Sequence, residues 1–249
     1  DDTAMALSVV EVLRDHQDID PSALARRFHE RYLDEPWRGY GGGAHRLFAT
    51  RNEGVGWQEA ASSLFDGSGS YGNGAAMRAA PIGAYFYDDL ERVLEAANAS
   101  ALPTHTHVDG VAGGVAIALA AALAIQDRDA PIEQARERLF ATLLEHTPQS
   151  ETRDGLVKAT HVPLTASIRH AADRLGNGKH ISSQDTVPFC VWMIARNLRD
   201  YREGMWETVE ARGDRDTTCA IVGGVLALSA PGETFPDAWL ARREPLGEI

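Results

Sequence analysis

The chain has 249 residues, a length that fits one large domain, and 44% of them are hydrophobic, enough for a sizeable core. Its formal net charge of −12 at pH 7 argues against sequence-independent binding to nucleic acid or anionic lipid. No run is read as long and apolar enough to span a membrane; the best, 111–125, is short and rich in alanine and glycine. No signal-peptide pattern is present. The two cysteines, Cys190 and Cys219, sit in apolar runs without the spacing of a zinc site, so buried free thiols in a reducing cytoplasm are expected. The chain has no initiator Met and opens inside a motif, so it is expected to be a fragment, a processed form or a trimmed form.

Apolar periodicity predicts a first helix over 2–16, with Met5, Leu7, Val9, Val10 and Leu13 on its inner face and the polar stretch 17–20 ending it. A second opens at Pro21, a residue suited to a first turn, and turns Leu24, Phe28, Tyr32 and Leu33 inward. Pro36-Trp37-Arg38-Gly39-Tyr40-Gly41-Gly42-Gly43 reads as a glycine-rich loop, either a plain connector or a place of close backbone approach to a ligand. A helix of mixed quality follows to about Phe65. The next loop, Asp66-Gly67-Ser68-Gly69-Ser70-Tyr71-Gly72-Asn73-Gly74, exposes backbone N–H groups ahead of the small-residue run Ala75-Ala76-Met77-Arg78. Amides at a helix start make an anion site, with a bare surface loop as the alternative. No Gly-Lys-Ser/Thr ends the loop, so a P-loop ATPase reading is poor.

A helix is predicted over 84–98, with Tyr85, Leu90, Val93 and Leu94 inward. Pro103 breaks the chain before Thr104-His105-Thr106-His107, whose threonines are candidates to cap a helix starting near Val108. The segment 111–125 reads as a central buried helix. Amphipathic helices follow over 131–144 and 166–175, the latter stopped by Gly176-Asn177-Gly178. Asp185 starts another buried helix with Pro188 in its first turn, and 201–211 is short and amphipathic. Glu233-Thr234-Phe235-Pro236 opens the last, with Trp239 and Leu240 packing back. No strand alternation, internal repeat or low-complexity linker is present. The expected fold class is all-α, one compact multi-helix domain over 1–249.

Two acidic clusters carry the candidate chemistry. Gly213-Asp214-Arg215-Asp216-Thr217-Thr218 precedes an apolar run from Cys219 to Leu228, and Asp1-Asp2-Thr3 opens the chain. Each fits an ordinary helix N-cap, where carboxylates complement the dipole. Asp-x-Asp-Thr also gathers hard oxygens, which suit Mg²⁺ or Ca²⁺ better than a softer metal. The residues alone leave both readings open. His105 and His107 would ligate zinc only with partners elsewhere.

Taken in order, these two clusters, with Gly69-Ser70-Tyr71-Gly72-Asn73-Gly74-Ala75-Ala76-Met77-Arg78 and Thr104-His105-Thr106-His107 between them, resemble the ADP-ribosylglycohydrolase family. That family includes the dinitrogenase reductase-activating glycohydrolases and the ADP-ribosyl-acceptor hydrolases, and the resemblance runs from Asp1 to Trp239-Leu240. It implies a hydrolase that removes ADP-ribose from a modified protein side chain or small conjugate by cleaving the bond at ribose C1″. It implies a binuclear Mg²⁺ site, with Mn²⁺ as the other candidate, held by Asp1, Asp2, Asp214, Asp216 and Thr217; Asp1 and Asp2 are also the implied catalytic carboxylates. Substrate contacts are implied for Ser70, Tyr71, Gly72, Asn73 and Gly74, for His105 as a hydrogen-bond donor, for Asn177 at the adenosine end and, loosely, for Gly39 and Tyr40. His107 is left to capping or solvent. Family members usually carry a Gly-rich segment ahead of the Asp-Asp-Thr motif, and this chain is expected to lack it. A non-catalytic member of the same fold, binding ADP-ribose or structural like a lens crystallin, is the alternative. A zinc hydrolase on His105 and His107 is the third class. The linkage cut is not written in the sequence.

Overall fold

The computed structural model describes residues 1–230 and 235–246. Among them the backbone forms fifteen helices and no sheet, as the lack of strand alternation predicts. The first pair, α1 (Asp2–His16) and α2 (Pro21–Asp34), pack on each other. Asp20 caps α2 by accepting from the N–H groups of Ser22 and Ala23, and Pro21 takes the first position, where no N–H is needed. Met5, Val9, Val12 and Leu13 bury the inner face of α1. Leu33 is 54% exposed rather than inward. It lies nine residues past Leu24, about half a turn round the helix.

The helix predicted to about Phe65 is two, α3 (Gly42–Asn52) and α4 (Trp57–Ser62). The break falls at Gly54, whose φ of +88° a glycine adopts without strain. Next come the short α5 (Gly74–Met77) and α6 (Ala80–Tyr85), then α7 (Leu90–Ala101). The helix predicted over 84–98 is therefore divided. Asp89 restarts it by accepting from the N–H groups of Glu91 and Arg92, and Tyr85, at the end of α6, turns outward.

The centre is α8 (Val108–Gln126). Its cap is His107, whose Nδ1 accepts from the Asp109 N–H, not a threonine. At 19 residues α8 is longer than the 111–125 run and is long and apolar enough to cross a membrane, but most of it is buried inside the protein. Its alanines and glycines let neighbours approach closely: a Cβ on Gly83 of α6 would sit 1.9 Å from the Ala118 carbonyl oxygen.

The later chain supplies α9 (Ile132–His146), α10 (Glu151–Thr160), α11 (Ile168–Leu175), α12 (Ser183–Arg196), α13 (Tyr201–Glu210) and α14 (Arg215–Ser229). Of these, α9, α10, α12 and α14 pack on α8, as do α5, α6 and α7. No helix was expected at α10; Ser150 caps it by accepting from the Arg153 N–H. Helix α12 begins at Ser183, before Asp185, which moves Pro188 into its second turn. The last helix, α15 (Asp237–Leu240), is a single turn. Its expected start at Glu233 and Thr234 lies outside the described residues. Trp239 meets Tyr201 and Trp206, with ring centroids 6.2 and 5.8 Å apart, whereas Leu240 is exposed.

Candidate active site

Both acidic clusters border one cavity of about 420 Å³. Asp1 lines it at the start of α1, Asp214, Asp216 and Thr217 line it at the start of α14, and the loop 70–74 and His105 complete the wall. The fold thus joins residues more than two hundred positions apart in sequence, because α1 and α14 pack against each other and both touch α5.

At the acidic end, Asp214 is the N-cap of α14 and Asp1 that of α1, yet neither side chain closes a cap hydrogen bond. The ordinary capping reading therefore does not account for these carboxylates. Asp214 Oδ2 instead accepts from Asn73 Nδ2 at 2.8 Å, and the same amide donates to Thr186 Oγ1 at 3.1 Å. Asp2 is buried, and its Oδ1 has no hydrogen-bond partner. Burial pushes the Asp2 carboxyl above its usual range, against the opposing effect of the Thr217 hydroxyl beside it. Burial and a hydrogen bond shared with Asp216 push Asp214 up to about 6, and that same bond holds Asp216 low.

Among the described residues no three His, Cys, Asp or Glu side chains form a ready metal-holding group. The donor chemistry here is oxygen only and includes a hydroxyl. An orphaned buried carboxylate oxygen behind a cavity end lined by Asp1, Asp214, Asp216 and the Thr217 hydroxyl fits a hard cation.

Joined to the acidic end through Asn73 is the loop 70–74. Ser70 Oγ accepts from the Gly72 N–H at 3.2 Å, and Ser183 N–H donates to the Tyr71 carbonyl at 2.9 Å, so the loop is tied to the start of α12. An isolated antiparallel bridge between Gly72 and Ser182 reinforces that tie. His105 lies under the loop: Cβ atoms on Gly72 and Gly74 would sit 3.2 and 3.3 Å from its Nε2. Burial, then the positive charge of Arg78, lowers its pKa to about 3, so the ring is neutral. Tyr71 is part-exposed, its ring centroid 5.7 Å from that of Phe65 and 5.5 Å from that of His107. Gly39 reaches the cavity beside Asp1, its Cβ position 3.8 Å from Asp1 Oδ1.

Asp1, Asp214, Asp216, Thr217, Gly39, Ser70, Tyr71, Gly72, Asn73, Gly74 and His105 all line the cavity. Asp2 sits behind it, and Asn177 does not line it. The Asn177 side-chain amide donates to the Ala211 carbonyl at 3.0 Å, and the Asn177 backbone carbonyl accepts from the Asp214 N–H at 3.1 Å. It is a strut for the acidic loop. Arg78 and Thr104, which stand at the edges of two of the motifs and receive no ligand role from the sequence, also line the cavity. The available signal was a lone cation in a small, apolar run directly after a glycine-rich loop.

An all-α fold whose two ends meet in one acidic cleft faced by a glycine loop defines a class, and comparison agrees. The family described as ADP-ribosylglycohydrolase matches residues 1–248, and the chain belongs to it; by class it is an ADP-ribosyl glycohydrolase. It is 29% identical to an uncharacterized protein of Archaeoglobus fulgidus, over 96% of this chain and 73% of that one. It is 28% identical to the ADP-ribosylhydrolase ARH3 of Bos taurus and to that of Homo sapiens, over 96% of this chain and 72% of each relative. A solved structure described as an ADP-ribosylglycohydrolase-related protein complex shares the fold, with a TM-score of 0.69 at 22% identity, over 96% of this chain and 74% of that one.

Proposed function

We propose that this chain is a Mg²⁺-dependent hydrolase that releases ADP-ribose from a modified protein side chain or small conjugate by cleaving the bond at ribose C1″. The observation that carries the reading is the meeting of Asp1, Asp214, Asp216 and Thr217, with Asp2 behind them, at one end of a cavity that the loop 70–74 and His105 also line. Asp1, Asp2, Asp214, Asp216 and Thr217 would hold Mg²⁺, or Mn²⁺ in its place. When bound, the ion supplies positive charge that orients ribose hydroxyls and lowers the pKa of a water. The loop 69–78 contains no acidic residue and is backed by the buried Arg78, so it suits the diphosphate. As the bond from C1″ to the acceptor breaks and the bond to water forms, a carboxylate of the acidic end accepts the proton of the attacking water and returns it to the departing acceptor. The same negative charges steady the oxocarbenium-like centre that develops at C1″. The free thiols of Cys190 and Cys219 suit a cytoplasmic setting.

The test is ADP-ribose release from arginine-linked and serine-linked peptides, with Mg²⁺ and with EDTA. Release lost in EDTA is expected. Asp214→Ala and Asp216→Ala are each expected to lower turnover about 100-fold or more while keeping the helical circular dichroism. Unchanged turnover in both variants would overturn the metal assignment. Binding of ADP-ribose without release from any conjugate would make the chain a non-catalytic binder.

A further inference from the structure

Arg78 is fully buried, yet no carboxylate pairs with it among the described residues. Its guanidinium donates to the carbonyls of Gly74 and Ser100 at 3.1 and 2.7 Å and to Thr104 Oγ1 at 2.8 Å, and its Cζ lies 4.5 Å from the centre of the Phe28 ring. Nε has no partner. Burial lowers its pKa to about 9, so it stays charged at neutral pH. An unpaired buried cation is costly, and its place beside the candidate site calls for a role.

The Thr104 hydroxyl that accepts from Arg78 lies 2.6 Å from His105 Nδ1. It has one proton to give. The other acceptor in reach, the Ala101 carbonyl, is 3.4 Å away. That oxygen already accepts the N–H groups of Thr104 at 3.1 Å and His105 at 2.8 Å. Two lone pairs leave a third donor poorly served. The neighbouring cation also polarises the hydroxyl into a better donor and disfavours an N–H pointing back at it. The hydroxyl proton therefore goes to Nδ1, and the imidazole proton sits on Nε2. That edge of the ring faces Gly72, Gly74 and the cavity.

We propose that Arg78 and Thr104 are positioning residues that hold His105 in its Nε2–H form, so that it offers one fixed hydrogen-bond donor to an anionic, phosphate-class oxygen of the ligand. The ligand's identity rests on the ADP-ribose reading; the tautomer does not. A donor fixed in advance loses no binding free energy to selecting the right form when the ligand arrives.

Long-range ¹H–¹⁵N spectra of the ¹⁵N-histidine-labelled protein report which ring nitrogen carries the proton. His105 is identified among the nine histidines by its loss in His105→Gln. The wild type and Thr104→Ser are expected to show Nε2–H, and Thr104→Val a mixture or Nδ1–H. In calorimetric titration with ADP-ribose and Mg²⁺, Thr104→Val is expected to bind about tenfold more weakly and Thr104→Ser within about twofold of wild type. Nδ1–H in the wild type, or pure Nε2–H retained in Thr104→Val, would overturn the proposal. Should Thr104→Val not fold, Thr104→Ala carries the same expectation, and the wild-type spectrum decides by itself. A wild type that shows Nε2–H but does not bind ADP-ribose sinks the functional reading and leaves the network standing.

Discussion

Asp2 is held as folded proteins rarely hold a carboxylate, buried and with one oxygen unmet. Removing it should therefore relieve the metal-free protein. Asp2→Ala is expected to leave the melting temperature without metal unchanged or raise it, by up to about 1 kcal/mol of stability, and to abolish the rise in melting temperature on adding Mg²⁺. Thermal unfolding with and without the ion checks both. Gly178 is the second sensitive residue: at φ +82°, its Cβ position lies 2.6 Å from Asp214 Cβ. Gly178→Ala is expected to cost about 1 to 3 kcal/mol and, by displacing Asp214, at least about tenfold in turnover. Denaturant titration and the release assay read the two effects separately. The acidic pairs and the loop 70–74 were legible in the sequence because their chemistry is local and their order distinctive. Arg78 and Thr104 were not, since their burial is decided by distant packing against Phe28 and Ser100. Asn177, which the resemblance places at the adenosine end, owes its bond to Ala211 to how α13 lies against the loop after α11, and no local pattern encodes that.

Between elements, close approach matters most where α6 crosses α8. Gly83→Ala would drive a methyl into the Ala118 carbonyl at 1.9 Å and the Ala121 methyl at 2.7 Å. A loss of about 2 to 3 kcal/mol is expected, read as a lower urea midpoint with unchanged slope. Helices α12 and α13 are joined by a two-pronged pair: Arg196 Nε and Nη2 each donate to a Glu207 carboxylate oxygen at 2.7 Å, and Asn197 adds a bond at 2.8 Å. Burial alone would raise the Glu207 carboxyl, but these bonds and the guanidinium charge outweigh it and hold the carboxyl below its usual 4.5. A lowered folded value means this contribution is complete at pH above 4.5 and is lost as pH falls through the folded value. Glu207→Gln is expected to cost about 1 to 2 kcal/mol at pH 7, with the gap to wild type closing in acid. Stability measured against pH checks the sign. Long periodic segments such as α1 and α8 were legible; the breaks at Gly54 and Asp89 were not, because a short cap or turn interrupts an apolar pattern that itself continues.

At the scale of the molecule, seven helices lean on α8, so no part of the described core has a centre of its own. Loss of helical circular dichroism and of tryptophan fluorescence, with Trp192 fully buried, is expected to trace one transition in urea. Two displaced curves would count against a single core. The all-α class was legible from the missing strand alternation, while the meeting of the two acidic clusters was legible only through the family resemblance, since no local pattern encodes contact across so much sequence. The Asn73 amide has a wider consequence. It belongs to the loop 70–74 but spends its protons on Thr186 and Asp214. A ligand seated on this loop would bear on Asp214 through that bond, and a cation held by Asp214 would bear on the loop through the same atoms. Were both to bind, linkage would require reciprocity: whatever factor the ion added to the affinity of a ligand on the loop, that ligand would add to ion affinity, and the Asn73 amide is a bond that joins the two places.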